Sequence, residues 1–387
     1  MKRTYAVVVP ILLIACAATR PVQDLAAGER PALDSDEAGL WMWSDHWEED
    51  LSTSGLVVSD PGLNAYVREV ACRVAQDYCG DIRVYVLEIP HFNASVYPNG
   101  MMVVWTGLLL RVQNEAQLAA VLGHEIAHYQ RRHSITGWRD ARNKAAMFTW
   151  GQILLYASGV PGAPLIDLAG QIAFFGSIFK FSRDHEREAD RLGLELMAAA
   201  GYDPAEAPVI WEALIEEQEA EDESQPFIFI STHPHSDERA ATLKQLAAEH
   251  RSATNADVTE QGRYVEQLLP LRGTLLEDEL AQRRFPSTDL ILERLRQTNA
   301  APGEIEFFQG ELYRLRGDSG DAERAGEHYR RALTLGGAPA EAYRSLGLVS
   351  RRVGDDAGAC DAFRRYLELE PEADDRAMIE AFLAMRP

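Results

Sequence analysis

Asn114-Glu115-Ala116-Gln117-Leu118-Ala119-Ala120-Val121-Leu122-Gly123-His124-Glu125-Ile126-Ala127-His128 is the stretch from which the rest of this 387-residue chain is read. Asn114 is an N-cap residue, and Gln117 falls at the capping-box position three residues later. Leu118, Val121, Leu122 and Ile126 then form the apolar stripe of an amphipathic helix. Residues four apart share a helix face, so His124 and His128 can direct both imidazoles at one metal ion. Glu125 sits one position round, where a carboxylate acts on water as general base. An exposed pair of histidines would not be set among Gly123, Ile126 and Ala127.

A second stretch completes the constellation: Ser182-Arg183-Asp184-His185-Glu186-Arg187-Glu188-Ala189-Asp190. Catalytic zinc takes three protein ligands and keeps a fourth position open. Glu186 is expected to be the third ligand. Asp190, one turn further on the same face, can accept the second ring proton of a ligating histidine and fix its tautomer. His185 and Glu188 are rival ligands by residue type, but only Glu186 has an acid four residues on. A closed structural zinc site would need a thiolate cluster, and none is present. One Zn²⁺ per chain is expected.

These residues, His124 to His128 followed by Ser182-Arg183, Glu186 and Ala189-Asp190, resemble the HtpX and BepA branch of metallopeptidase family forty-eight, which also contains the CAAX prenyl proteases. The likeness runs from about Asp60 to Ala247, through Asn93-Ala94, Pro98-Asn99-Gly100 and Thr106-Gly107-Leu108-Leu109. It implies a gluzincin zinc endopeptidase, and an edge strand beside the cleft over Asn99, Gly100, Met101, Met102 and Val103. Such an edge would hold polypeptide by β-augmentation. Ser231-Thr232-His233-Pro234 and Arg239 resemble a loop whose histidine approaches the metal. By that resemblance His233 stabilises the oxyanion or covers the zinc, and Arg239 supports the site from behind. His133 also recurs in the family pattern, with no chemistry to assign to it.

Working outward, Asp60-Pro61 opens a helix with Leu63, Tyr66, Val67, Val70 and Val74 at helical spacing. Ile82 to Ile89 reads as a strand, and Tyr97-Pro98-Asn99-Gly100 as a turn into a second strand, Met101 to Trp105. Trp41, Trp43 and Trp47 are expected to pack on the catalytic domain. Ala145 to Phe181 is apolar but split by Gly159, Pro161, Gly162 and Pro164, which predicts two buried helices rather than a bilayer span. Downstream, Ala325 and Tyr329 are followed 34 positions later by Ala359 and Phe363, the tetratricopeptide period. Gly310 and Gly347 match its small position, Tyr264 to Thr298 reads as a degenerate pair, and Ala373 to Met385 as a capping helix. The fold class is therefore α+β and mostly α: a metallopeptidase domain with a small sheet at 51–260, then an all-α repeat domain at 261–387. A signal peptide at 1–15 and a tether at 16–50 precede them.

The leader has Lys2 and Arg3 before a short apolar run, Tyr5 to Ala15. Leu13-Ile14-Ala15-Cys16 resembles a bacterial lipobox, which makes Cys16 the lipidated residue. Ala17 in place of aspartate favours the outer membrane, facing the periplasm. A secretory signal cut after Ala17, leaving a soluble periplasmic protein, is the alternative. In that compartment Cys72 and Cys79 are expected to form a local disulfide, and Cys360 to be a buried free thiol. Hydrophobic residues make up 46% and charged residues 25%, which excludes wholesale disorder. A formal net charge of −22 argues against nucleic acid as a partner. The expected partners are polypeptide substrates, a protein bound by the repeats, and a membrane reached by the lipid anchor. The rival function is a repeat-driven chaperone or assembly factor with latent peptidase activity.

Overall fold

A computed structural model describes residues 22, 24, 26–139, 181–221, 229, 233, 237–254 and 256–385. Cys16, the leader and the paired helices expected within Ala145 to Phe181, Phe181 itself apart, lie outside the described residues.

Helix α1 (Asp36–Thr53) is capped by Ser35 and runs unbroken across position 50. It lies on one face of a small sheet: Leu51 and Trp47 pack with Leu87, Met101 and Val103, and the Trp43 ring lies 6.4 Å from Tyr97. Helix α2 (Pro61–Ala75) starts where Asp60 accepts the Leu63 amide at 2.9 Å, with proline at its first position. A 3₁₀ turn (Gln76–Gly80) follows, tied back to α2 by the Cys72–Cys79 disulfide.

The sheet has three strands, β1 (Arg83–Leu87), β2 (Ala94–Val96) and β3 (Met101–Trp105), in the order β1-β3-β2. β1 runs parallel and β2 antiparallel to β3. This corrects the expected edge strand: Met101, Met102 and Val103 occupy the central strand, and the edge is β2. The turn folds β2 back as a hairpin on one side of β3 while β1 takes the other, so neither side of β3 is free. Asn99 and Gly100 belong to that turn. Asn99 donates to Asp45 and Glu48 of α1 at 2.9 and 2.8 Å and accepts the Met101 amide at 3.0 Å. Gly100 has φ of +86°, and a Cβ there would lie 2.1 Å from the Asp81 carbonyl oxygen.

Helices α3 (Thr106–Arg111), α4 (Glu115–Gln130), α5 (Arg183–Ala199), α6 (Glu206–Ala220) and α7 (Asp237–Thr254) share one apolar core with α2 and the sheet's other face. Asn114 caps α4 by accepting the Gln117 amide at 2.8 Å, and Gln117 returns a bond to the Gln113 amide at 2.8 Å. α4 and α5 touch backbone to backbone: a Cβ on Gly193 would lie 2.8 Å from the His124 nitrogen, and one on Gly123 3.0 Å from the Gly193 oxygen. That close approach carries the acids of α5 to the histidines of α4.

The rest is helical: α8 (Gln261–Ala281), α9 (Phe285–Gln297), α10 (Pro302–Arg316), α11 (Asp321–Leu335), α12 (Glu341–Arg352), α13 (Asp356–Leu369) and α14 (Arg376–Met385). Gly310 admits the Tyr329 ring and Gly347 admits Phe363; added Cβ atoms would sit 2.4 and 2.6 Å from those rings. The glycines are 37 residues apart and the aromatics 34, and the three extra residues lie between Gly310 and Tyr329. One apolar core extends from Leu63 to Val349, across position 260. Buried Arg111 of α3 bonds Glu217 of α6 at 2.7 Å and Glu279 of α8 at 2.9 Å. The last helices form a separate cluster, holding Cys360, which is in no disulfide, with Phe363, Tyr366, Ile379 and Phe382. Among the described residues no helix is long and apolar enough to cross a membrane.

Candidate metal centre

The i, i+4 spacing on α4 brings His124 Nε2 within 3.1 Å of His128 Nε2. Across the glycine contact, Glu186 on the first turn of α5 lies 3.5 Å from each of these nitrogens. His233 enters from the α6–α7 connection, with Nδ1 3.3 Å from His124 Nε2 and 3.1 Å from Glu186 Oε1. A tetrahedron with metal–donor bonds of ~2.0–2.1 Å has edges of about 3.4 Å, so these four groups have the spacing and the nitrogen and oxygen chemistry of a zinc site. All four side chains are buried and offer one ligand atom each within 4.8 Å of one another.

Two of the ligands are held from behind. Asp190 Oδ1 lies 3.1 Å from His124 Nδ1, so the ligating histidine that it was expected to serve is His124. Arg239 of α7 grips Asp190 through two bonds of 2.5 and 2.8 Å and reaches Glu186 Oε2 at 2.7 Å. The guanidinium thus ties a ligand carboxylate to the carboxylate that fixes a ligand histidine, and itself lies 5.6 Å above Trp211. Aromatic rings close the site. Phe181 stacks on His128 at 3.8 Å, Phe229 on His233 at 4.4 Å, and Trp211 meets His124 edge-on at 5.7 Å.

The fields of these groups oppose their burial. Burial depresses the His124 imidazole, but hydrogen bonds to Asp190 and Glu186 overcome this and raise it to about 9. Burial raises Glu186, but the surrounding histidines hold its carboxyl far below the usual range. His128, buried beside His124, is pushed well down and stays neutral, the form that binds metal. Burial and the nearby Glu186 push Glu125 up against the pull of His233 and His124. Its carboxylate takes a hydrogen bond from the Val96 amide, which joins the general-base position to the edge strand β2.

The same residue pattern recurs in known proteins. Residues 59–247 match the family model described as peptidase family M48. The chain carries a peptidase family M48 domain. The beta-barrel assembly-enhancing protease of Escherichia coli is 29% identical over 215 residues, 54% of this chain and 43% of the relative. That of Yersinia pestis is 28% identical over 254 residues, 61% and 51%. The mitochondrial metalloendopeptidase OMA1 of Schizosaccharomyces pombe is 33% identical over 218 residues, 54% and 60%. The aligned part therefore covers between 43% and 60% of these relatives' length. Zinc is the metal of M48 peptidases, and the donor set found here fits it.

The M48 domain brings together every metal-site residue expected from sequence: His124, Glu125, His128, Glu186, Asp190, His233 and Arg239. The rivals His185 and Glu188 stand outside the donor set. His133, Phe181, Trp211 and Phe229 are buried against the site with no role read from sequence. His133 had a signal, a fifth-residue spacing from His128, but spacing alone does not say where a chain goes after a helix ends. Burial and the neighbouring His185 lower the His133 imidazole to about 4.

Proposed function

We propose that this chain is a zinc-dependent endopeptidase that cleaves polypeptide laid along the free edge of β2. The observation that carries the reading is Glu125, a buried carboxylate beside four convergent donors on an H-E-x-x-H helix. His124, His128 and Glu186 would hold the ion, which supplies Lewis acidity toward the scissile carbonyl and acidifies water. Glu125 takes the proton of the attacking water and delivers it to the departing amine. Asp190 and Arg239 keep His124 and Glu186 in place meanwhile. β2 pairs with β3 on one side, and a strand added along its other side would be held through main-chain hydrogen bonds, which explains sequence-tolerant recognition. His233 occupies the ligand position that substrate needs, so the form described is closed, and activity requires His233 to withdraw.

The same proposal puts the enzyme in the bacterial periplasm, lipidated at Cys16 in the outer membrane and acting on misfolded or misassembled envelope proteins. Support comes from the lipobox-like leader and from the beta-barrel assembly for which the bacterial relatives are named. The rival reading, a chaperone or assembly factor whose tetratricopeptide-like helices bind protein partners, is favoured by the repeated Gly–aromatic pairs at 310/329 and 347/363. A truncation near Tyr264 does not separate the two, because Tyr264 is buried in the shared core and donates its hydroxyl to the Leu109 carbonyl. Glu125→Gln in the full chain does. It should keep one zinc and lose cleavage of an unfolded protein such as casein by about 10²–10⁴-fold, the usual worth of a general base. Undiminished cleavage would remove Glu125 from the mechanism. Envelope defects fully rescued by the inactive variant would transfer the function to the helices.

A further inference from the structure

His133 lies beyond the end of α4 and is buried to 3% exposure, with Nδ1 3.0 Å from Nδ1 of His128. Its Nε2 lies 3.4 Å from Glu188 Oε2. Arg132 supplies the chain reversal that makes this contact possible: its φ of +53° turns the backbone out of the helix and starts 133–139 in a new helical direction. A left-handed arginine is strained. It is held by Glu37 of α1, which accepts from Arg132 Nε at 2.8 Å. His185, one residue before the ligand Glu186, stacks on the His133 ring at 4.2 Å and 14°. Arg131 approaches the other oxygen of Glu188 at 3.1 Å. The imidazole is thus fixed in plane, position and hydrogen-bond direction.

The protons can be arranged in one way only when His128 binds metal. Its Nε2 faces the other donors, so that nitrogen offers its lone pair and the proton sits on Nδ1. The group facing Nδ1 must then accept, so His133 carries its own proton on Nε2 and directs it at Glu188. The opposite arrangement, in which His133 donates to His128 Nδ1, would put the His128 proton where the ion belongs. We infer that His133 and Glu188 are the positioning pair of the second metal-binding histidine, selecting its tautomer and aiming its ring. They serve His128 as Asp190 and Arg239 serve His124. The inference rests on the zinc-site reading above, and gives His133, His185 and Glu188 a role that the ligand set alone does not.

The test is zinc affinity of the full chain, measured by competition with a chromophoric chelator and accompanied by the Co²⁺ absorption spectrum. His133→Phe keeps a ring against His185 but removes the acceptor. It should weaken zinc binding by about 10- to 100-fold and alter the Co²⁺ bands, with the melting temperature of the metal-free protein little changed. His133→Asn places an oxygen where Nδ1 stood and should restore affinity to within a few-fold of wild type. A role in packing alone predicts the reverse, with asparagine as harmful as phenylalanine or worse and zinc affinity untouched by phenylalanine; either result overturns the assignment. Should His133→Phe fail to fold, Glu188→Met carries the test, since that side chain is 41% exposed. Weakened zinc binding supports the pair, and unchanged binding overturns it. Wild type without zinc would remove the ligand set and this inference together. Wild type and His133→Phe loading equally tightly would remove only the positioning pair.

Discussion

At Gly193 a single hydrogen atom stands where any other residue would place a carbon against the backbone of His124. The three atoms nearest that absent Cβ are main-chain atoms at 2.8 to 3.0 Å, which no rotamer change can relieve. Gly193→Ala must therefore part α4 from α5, and with them the histidines from Glu186 and Asp190. The expected cost is about 1–3 kcal/mol, typical of an added methyl in a tight contact, together with roughly 10-fold weaker zinc binding as the supporting carboxylates move. Chemical denaturation and metal competition measure both. Unchanged zinc affinity in a destabilised protein would show that the donors close on the ion independently of the helix contact. The glycine is visible in sequence, but its partner backbone is not. Asp190 was assigned to a ligand histidine from its offset on α5, whereas only the crossing of the helices names His124 as that histidine.

At the scale of elements, α10, α11 and α12 meet around one buried carboxylate. Glu311 accepts from the Tyr329 hydroxyl at 2.7 Å and the Ser345 hydroxyl at 2.6 Å, with Arg314 beside it. Burial alone would raise its carboxyl, but Arg314, Ser345 and Tyr329 hold it below the value of 4.5 expected in the unfolded chain. A folded-state value below the unfolded one gives stability that is fully present above pH 4.5 and lost as pH falls through the lowered value. Acid should therefore loosen the helix pairs, and Glu311→Gln should show a shallower fall of melting temperature below that pH. An equal slope in wild type and variant would mean that other carboxylates dominate the acid transition. The helix pairs themselves were legible from the 34-residue period, because each element buries the same face against its neighbour. The sheet was half legible. β1 and β3 follow from β-branched runs bounded by turns, but β2 is too short to announce itself. The resemblance that implies an edge strand over residues 99–103 does not show that β2 covers β3.

For the whole molecule, the core does not stop where the repeat pattern starts. Arg111, with its side chain 1% exposed, depends on Glu279 from α8 as well as Glu217 from α6. Removing Glu279 leaves Arg111 paired with Glu217 but takes away one buried charge-assisted hydrogen bond, at a cost of about 1.5–3 kcal/mol. Glu279→Ala should lower the stability of the M48 domain by that order, although the residue lies 93 positions after Glu186. A fragment ending at residue 260 should lack a cooperative melt, since α8 would leave Leu109 and its neighbours uncovered. Two resolved thermal transitions in the full chain, one of them unaffected by Glu279→Ala, would show instead that the halves fold separately.

The sequence by itself determined what depends on local period. The i, i+4 rule put two histidines on one face, the same rule paired Glu186 with Asp190, caps placed the helix starts, and the repeat spacing marked the C-terminal helices. Tertiary structure alone decided which strand is the edge, that His133 stands behind His128, and that one core crosses position 260. These depend on where the chain goes after an element ends: the left-handed turn at Arg132, the hairpin at Gly100, the glycine contact between α4 and α5. A helix or strand pattern fixes the face that a residue shows. The neighbour it meets is set by long-range packing, which no local period encodes.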